Sequence, residues 1–185
     1  MFEWLLHIDT HLYYLFNGIL VLPHFDVIMP YLTEIDNWRI PILIILLCML
    51  IFGGKKGRIY TLLILITITI TDQTSSHLIK PMVERIRPCN ALENVRLLVD
   101  GSRAFSFPSS HATNIFGAAV IFTSYYRPLW PFYFLLAILV AYSRIYVGLH
   151  YPFDAIGGAM LGVVCAGSVL YVKKKLPDLI KYVKK

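Results

Sequence analysis

The chain alternates long apolar runs with short polar junctions. Residues 40–54 carry no formal charge, Ile59 to Ile79 hold only Asp72, and Ala104 to Tyr126 is uncharged when His111 is neutral. Residues 128–143 and 155–172 are uncharged as well. A helix needs about 20 residues to cross the hydrocarbon core, within a range of about 17–25. Each run qualifies once interfacial residues such as Trp38, Arg39, Trp130 and Tyr171 are included. The stretch ITITIT at 66–71 alternates like a strand. It lies in a long apolar run, where an open strand edge would find no hydrogen-bond partners in lipid, so it reads as helix. The first segment, residues 4–22, is long enough to span. Glu3, His7, His11, Tyr14 and Asn17 recur there at helical spacing as one polar stripe, with Asp9 on the other side. It reads as a polar spanning helix tucked against the bundle, with an interfacial helix as the alternative. The pattern therefore predicts an all-α fold, a polytopic membrane bundle of about six helices in one domain, residues 1–185.

Composition supports that class. Of 185 residues, 57% are apolar and 15% charged, against about 45–50% and about 25% in soluble domains. The opening MFEWLLHIDTHLYYLF lacks a basic n-region and a small-residue cleavage site, so it reads as retained rather than as a signal peptide. Cys48 and Cys165 fall in apolar runs and leave Cys89 without a partner, which is no disulfide framework. A net charge of +6 suits anionic lipid or an anionic substrate; no nucleic-acid or protein partner is implied.

Charge placement gives orientation. If every segment spans, GKKGR at 54–58, Arg127 and the tail from Lys173 share one side, which the positive-inside rule makes cytoplasmic. The opposite side then holds 23–37, 80–108 and 144–154. The loop at 80–108 carries Lys80, Arg85, Arg87, Arg96 and Arg103, many cations for an external loop unless they bind an anion.

Three clusters fall on that face. KPMVERIRP places Lys80 seven residues before Arg87, with Pro88 next; PSSH occupies 108–111; Ser143-Arg144 is followed by His150 and Asp154. Charged groups at a membrane edge are expensive and usually functional. A phosphate ester needs a nucleophile, an acid for the leaving oxygen and cations around the remaining oxygens. His is a competent covalent nucleophile, and Asp154 can hold one His150 ring nitrogen protonated while the other attacks. Pro152 suits a helix start, so the plainer reading of Asp154 alone is a charge complementing that helix dipole. Ser109 and Ser110 are good helix N-caps and lie where backbone N–H groups would meet an anion; His111 then enters the helix, placed to protonate a leaving alkoxide. Lys80, Arg87 and Arg144 read as phosphate clamps. Arg85, Arg96 and Arg103 read as cations snorkelling to headgroups. Asp72, Gln73, Ser75, Ser76 and His77 form a polar patch read as hydrogen bonding inside the bundle. His7 and His11 lack a third ligand, so no metal site is expected.

The three clusters resemble the signature of the type 2 phosphatidic acid phosphatase (PAP2) superfamily, K-x6-RP, PSGH and SR-x5-H-x3-D, over residues 80–154. TDQTSSHLIK and the N-terminal ID…LFNG resemble bacterial members. Ser110 replaces the motif Gly, which permits conformations that Ser does not. The resemblance implies an integral membrane phosphatase without cofactor or metal, acting on a lipid phosphate through a phosphohistidine on His150, with His111 as acid and then base. It implies a bacterial inner membrane with the site facing the periplasm. Among substrates, lipid A 1-phosphate is expected first, ahead of phosphatidylglycerophosphate and undecaprenyl pyrophosphate. A membrane haem protein with two axial His and an inactive lipid-binding relative are the competing classes. The vanadium haloperoxidases resemble the same signature but are soluble.

Overall fold

The computed structural model describes residues 3–183, with side chains described as far as Leu176. Helix α1 covers Glu3–Tyr14 and runs into a π turn at Leu15–Ile19; α2 is Phe25–Thr33, α3 Asp36–Phe52 and α4 Gly54–Gln73. A second π turn, Thr74–Ile79, leads into the short α5 (Lys80–Val83) and α6 (Pro88–Ala91). Then come α7 (Ser110–Tyr125), a 3-10 turn at Arg127–Leu129, α8 (Trp130–Tyr146) and α9 (Pro152–Val183). Three segments, Gly54–Ala91, Arg127–Tyr146 and Pro152–Leu176, are long and apolar enough to cross a membrane, and α2 with α3, bent by 57° at a short break, could make a fourth. Large apolar side chains such as Phe52, Leu62, Phe132, Met160 and Val164 face outward from these helices, as lipid-facing residues do.

At the centre, α7 packs on α9, α4 and α8. Its crossing with α9 depends on small residues, which let helix backbones approach closely where lipid removes the usual hydrophobic drive. A Cβ at Gly162 would overlap the Thr113 carbonyl oxygen, and one at Gly158 would stand 2.5 Å from the Ser109 carbonyl oxygen. Against α4, the ITITIT stretch is helical, as expected. Thr67 and Thr71, four apart, are buried, while Thr69 faces out; Thr71 also donates to Asn114 Oδ1 at 2.7 Å.

The two ends differ in chemistry. At one, Lys56 Nζ donates to the Tyr125 carbonyl oxygen at 2.6 Å and Lys173 Nζ to Tyr60 Oη at 2.8 Å. The GKKGR segment, the α7–α8 junction and the start of the basic tail therefore meet, as the charge pattern predicted. The other end gathers the three motifs.

Helix α1 departs from the spanning reading. Phe153 N donates to Asp9 Oδ1 at 2.8 Å, Tyr14 Oη to the Glu93 carbonyl oxygen at 3.0 Å, and Asn17 Nδ2 to the Tyr146 carbonyl oxygen at 2.8 Å. All three partners belong to the motif end, so α1 lies across that end instead of running the bundle's length. The buried positions are Asp9, Tyr13 and Asn17, whereas Glu3, His7 and His11 are exposed. Only the first three members of the polar stripe, Glu3, His7 and His11, face out, because Asp9 on the opposite side turns inward to its partners, while Asn17 at the stripe's end is buried. One further expectation changes, since the stretch read as a junction at 23–37 contains α2, whereas α7 begins at Ser110 with Ser109 as its cap, as PSSH predicted.

Replacing Gly162 by Ala should therefore lower the melting temperature of the detergent-solubilised protein, by about 1–3 kcal/mol in stability for an overpacked contact. Gly167→Ala, at a site with open space, should leave it unchanged. Equal melting of G162A and wild type would count against the α7–α9 crossing.

Candidate active site

The sequence carries Lys80 to the site through a break in helix geometry. Pro81 lacks an N–H and its ring crowds the carbonyl four residues earlier, which a wide π turn at 74–79 accommodates; such turns often mark functional sites. At the start of α7, Ser109 Oγ accepts from Ala112 N at 3.5 Å and the Ser109 carbonyl from Thr113 N at 2.9 Å. The remaining first-turn N–H groups, of Ser110 and His111, have no intrahelical partner. His150 follows α8 through a turn at Gly148, whose φ of 93° and close approach to the Arg96 carbonyl, 2.7 Å from a would-be Cβ, both require glycine.

These elements enclose a pocket of about 360 Å³, lined among others by Lys80, Arg87, Ser110, His111, Arg144 and His150. Six of the eight residues expected from sequence thus converge. Asp154 is fully buried behind His150. Ser109 departs from its expected phosphate contact. Its side chain is buried as the helix cap, and its own N–H is taken by the Asp154 carbonyl at 3.0 Å. Ser110, which replaces the motif Gly, has no left-handed backbone, so no glycine is required there; its hydroxyl bonds Ser75 and Ser76 at 3.1 Å each. The polar patch before Lys80 thereby supports the pocket wall.

His150 Nδ1 lies 3.5 Å from Asp154 Oδ2, and Ser106 Oγ stands beside both, 3.4 Å from Nδ1 and donating to Oδ2 at 2.5 Å. Tyr151 N also donates to Oδ2, at 2.9 Å. On the other ring edge, Arg87 Nη1 donates to His150 Nε2 at 3.2 Å. Guanidinium has no acceptor, so Nε2 carries the lone pair and Nδ1 the proton. Burial pushes the His150 imidazole down to about 3, with the Asp154 hydrogen bond pulling the other way. The ring is thus neutral at physiological pH, the form that can attack.

The cations divide into two groups. Lys80 donates to the Phe105 carbonyl at 3.2 Å. Arg87 binds the Ala104 and Leu149 carbonyls at 2.8 and 3.3 Å. Arg144 donates to Thr33 Oγ1 at 2.6 Å, while its buried Nε has no partner among the described residues. Among the described residues none of the three forms a carboxylate ion pair. Arg85 and Arg96 do. Arg96 Nη2 reaches Asp26 Oδ1 at 2.7 Å, and Arg85 reaches both Asp154 and Asp9 at 2.7 Å. Neither snorkels to headgroups as expected. Sequence reasoning missed the roles of Asp9, Arg85 and Ser106 because none occupies a fixed motif position; Asp9 and Ser106 fall outside the three motifs and Arg85 at a variable position of the first. The asymmetry of Asp9 against the polar stripe was the one available signal. Among the described residues no three His, Cys, Asp or Glu could hold a metal ion, and His11 Nδ1 bonds the His7 carbonyl at 2.7 Å.

Residues 61–178 match the PAP2 superfamily. The chain belongs to that superfamily. It is 37% identical over 171 residues to a lipid A 4'-phosphatase of Bacteroides thetaiotaomicron, covering 88% of this chain and 75% of that protein. A lipid A 4'-phosphatase of Porphyromonas gingivalis is 28% identical, covering 88% and 71%. The undecaprenyl-diphosphatase BcrC of Bacillus subtilis is 30% identical, covering 82% and 79%. The crystal structure of Aquifex aeolicus LpxE superposes with a TM-score of 0.72 at 26% identity, covering 89% of this chain and 95% of that one. A transmembrane PAP2 type phosphatidylglycerolphosphate phosphatase from Bacillus subtilis has the same fold, with a TM-score of 0.75 at 24% identity over 93% and 87% of the two chains. The protein is a PAP2 membrane lipid phosphatase.

A depressed His150 pKa has a direct readout. Nitrogen-15 spectra of ring-labelled protein should show the His150 ring neutral, protonated on Nδ1, at pH 7 and still at pH 5. The folded value lies below the unfolded one, near 6.5, so this group lowers stability as pH falls from about 6.5 towards about 3. An imidazolium signal for His150 at pH 6 would overturn the assignment.

Proposed function

We propose that this phosphatase removes a phosphate monoester from lipid A at the periplasmic face of a bacterial inner membrane. The observation that carries the substrate is the extent of the match to the Bacteroides lipid A 4'-phosphatase, 88% of the chain. With the Porphyromonas relative, it favours the 4'-phosphate over the 1-phosphate expected from sequence. BcrC, matching 82% of the chain, supports undecaprenyl pyrophosphate as the second reading. Ile35, 47% exposed at the α2–α3 bend, also lines the pocket. An acyl-bearing head group enters past that corner with its chains in the bilayer, since about 0.8 kcal/mol is lost per CH₂ exposed to water.

In the first step His150 Nε2 attacks phosphorus in line. The N–P bond forms as the P–O bond to the lipid breaks, and His111 protonates the departing oxygen. Lys80, Arg87 and Arg144, with the Ser110 and His111 N–H groups, take up the charge on the phosphoryl oxygens. Asp154 holds the Nδ1 proton and the imidazole's orientation. Neutral His111 then removes a proton from water, whose oxygen attacks phosphorus, and the N–P bond breaks to release phosphate. The three cations supply the positive charge, so no metal is needed.

His150→Ala should abolish phosphate release while the protein still folds, with its far-UV helix content unchanged even though loss of a buried side chain lowers the melting temperature. Asp154→Asn should lose up to about 10⁴-fold in kcat, the scale for removing an orienting carboxylate. Substantial turnover by H150A would remove it from its role. Activity should survive EDTA, and orthovanadate should inhibit by mimicking the transition state; loss on chelation, restored by Zn²⁺ or Mg²⁺, would overturn the cation-only scheme.

On a panel of lipid A, phosphatidylglycerophosphate and undecaprenyl pyrophosphate, lipid A should give the highest kcat/KM, with mass spectrometry locating the lost phosphate at the 4' position. A tenfold preference for the pyrophosphate would favour the second reading. In a variant lacking the three native cysteines, a Cys at Glu93 should react with an impermeant maleimide in spheroplasts and a Cys at Lys55 should not. Reversed labelling would place the site in the cytoplasm.

A further inference from the structure

Arg85 lies between Lys80 and Arg87, two of the proposed clamps, yet it points away from the pocket and towards the back of the nucleophile. Its Nη1 donates to Asp154 Oδ1 at 2.7 Å. Its Nη2 lies 2.7 Å from Asp9 Oδ2, an ion pair without hydrogen-bond alignment. The plane of the guanidinium is held from below by the Tyr151 ring, 3.9 Å away. That ring is in turn packed against Tyr13 of α1, with centroids 5.6 Å apart. The main chain of Arg85 acts on the same carboxylate by a second route. Its carbonyl accepts from Ser106 N at 2.6 Å, and Ser106 Oγ donates to Asp154 Oδ2 at 2.5 Å. One residue therefore fixes both oxygens of Asp154, Oδ1 directly and Oδ2 through Ser106.

The opposite end of the fork leads out of the bundle. Asp9 is fully buried although α1 lies on the surface of the motif end. Its other oxygen accepts from Phe153 N, beside Asp154 in the first turn of α9. Two buried carboxylates of one sign, Asp9 and Asp154, share one cation. Removing that cation leaves both uncompensated, a costly arrangement in a low-dielectric interior.

We infer that Arg85 is a positioning residue for the nucleophile, and that through Asp9 it makes the docking of helix α1 on the bundle part of the apparatus that orients Asp154 and His150. A fork is required because one cation must reach two carboxylates while stacked on an aromatic face, which a lysine point charge does not do. Arg85 does not line the phosphate pocket, so its effect falls on the chemical step and not on phosphate binding. The inference rests on His150 being the nucleophile.

The test uses the full chain in detergent micelles, with turnover and inhibition by inorganic phosphate, a ground-state ligand, measured side by side. R85Q and R85K should each lower kcat by about 10- to 100-fold, less than the loss on removing the orienting carboxylate itself. KM and the inhibition constant of inorganic phosphate should stay within about threefold of wild type. Arg87→Gln, a pocket variant, should weaken phosphate binding instead. D9N should lower kcat in the same sense, and D9N with R85Q should be no worse than R85Q alone, because the two act through one contact. Wild-type kcat in R85Q would overturn the inference, as would additive losses in the double variant. So would a loss of phosphate affinity equal to the loss of kcat, the mark of a generally loosened site. H150A separates the two levels. If it is active, the nucleophile assignment falls, and if it is inactive while R85Q turns over normally, only the role of Arg85 falls.

Discussion

The Asp154 carboxylate holds the motif end together. It sits with no solvent exposure and receives four donors from three parts of the chain. Arg85 comes from the 80–108 loop, Ser106 from the segment before α7, Tyr151 N from its own helix entry, and the imidazole from His150. A buried carboxylate is tolerated only when paired and hydrogen bonded. Satisfying it forces those segments into one place, and the same contacts orient the reactive ring. The stability of this end and its chemistry thus rest on one charge.

The helices supply the frame for that convergence. Gly117, Gly158 and Gly162 let α7 and α9 approach so closely that the Ser109 carbonyl and the backbone near Asp154 come together. Ser109 N then donates to the Asp154 carbonyl, tying the start of α7 to the start of α9. His111 and His150 are placed by this contact between two helix N-termini, not by the loops alone. A rigid crossing is the better support, because a shift of about 1 Å in a reacting group can cost about 100-fold.

The sequence was readable where its signals are local. Apolar runs, charge asymmetry between the two ends and three motifs with fixed spacing led to the bundle, its polarity and six of the pocket residues. The failures share a cause. Asp9, Arg85 and Ser106 matter because of where they meet, 76 residues and more apart for Asp9 and Arg85, and nothing in the spacing of one chain records that meeting. The spanning reading of α1 failed for the same reason. Length and polarity fit both readings, and only the bonds of Asp9 to the 153 backbone, of Tyr14 to 93 and of Asn17 to 96 and 146 decide between them. Ser109 was read as both helix cap and anion contact; it is the cap, and its own N–H is taken by the Asp154 carbonyl.

The two kinds of cation at the motif end show how a membrane enzyme tells structural charge from working charge. Arg85 and Arg96 are matched by carboxylates, so their charge is neutralised inside the fold. Lys80, Arg87 and Arg144 are nearly buried but bonded only to carbonyls, a hydroxyl and the His150 ring. Neutral acceptors orient a cation without cancelling it. Three such charges around one pocket repel one another, and a phosphate brings the compensating negative charge. An anion bound among them would relieve that repulsion. The same repulsion, together with burial, disfavours protonation of His150. The cations placed to meet a phosphate also keep the His150 ring neutral, with its lone pair on Nε2.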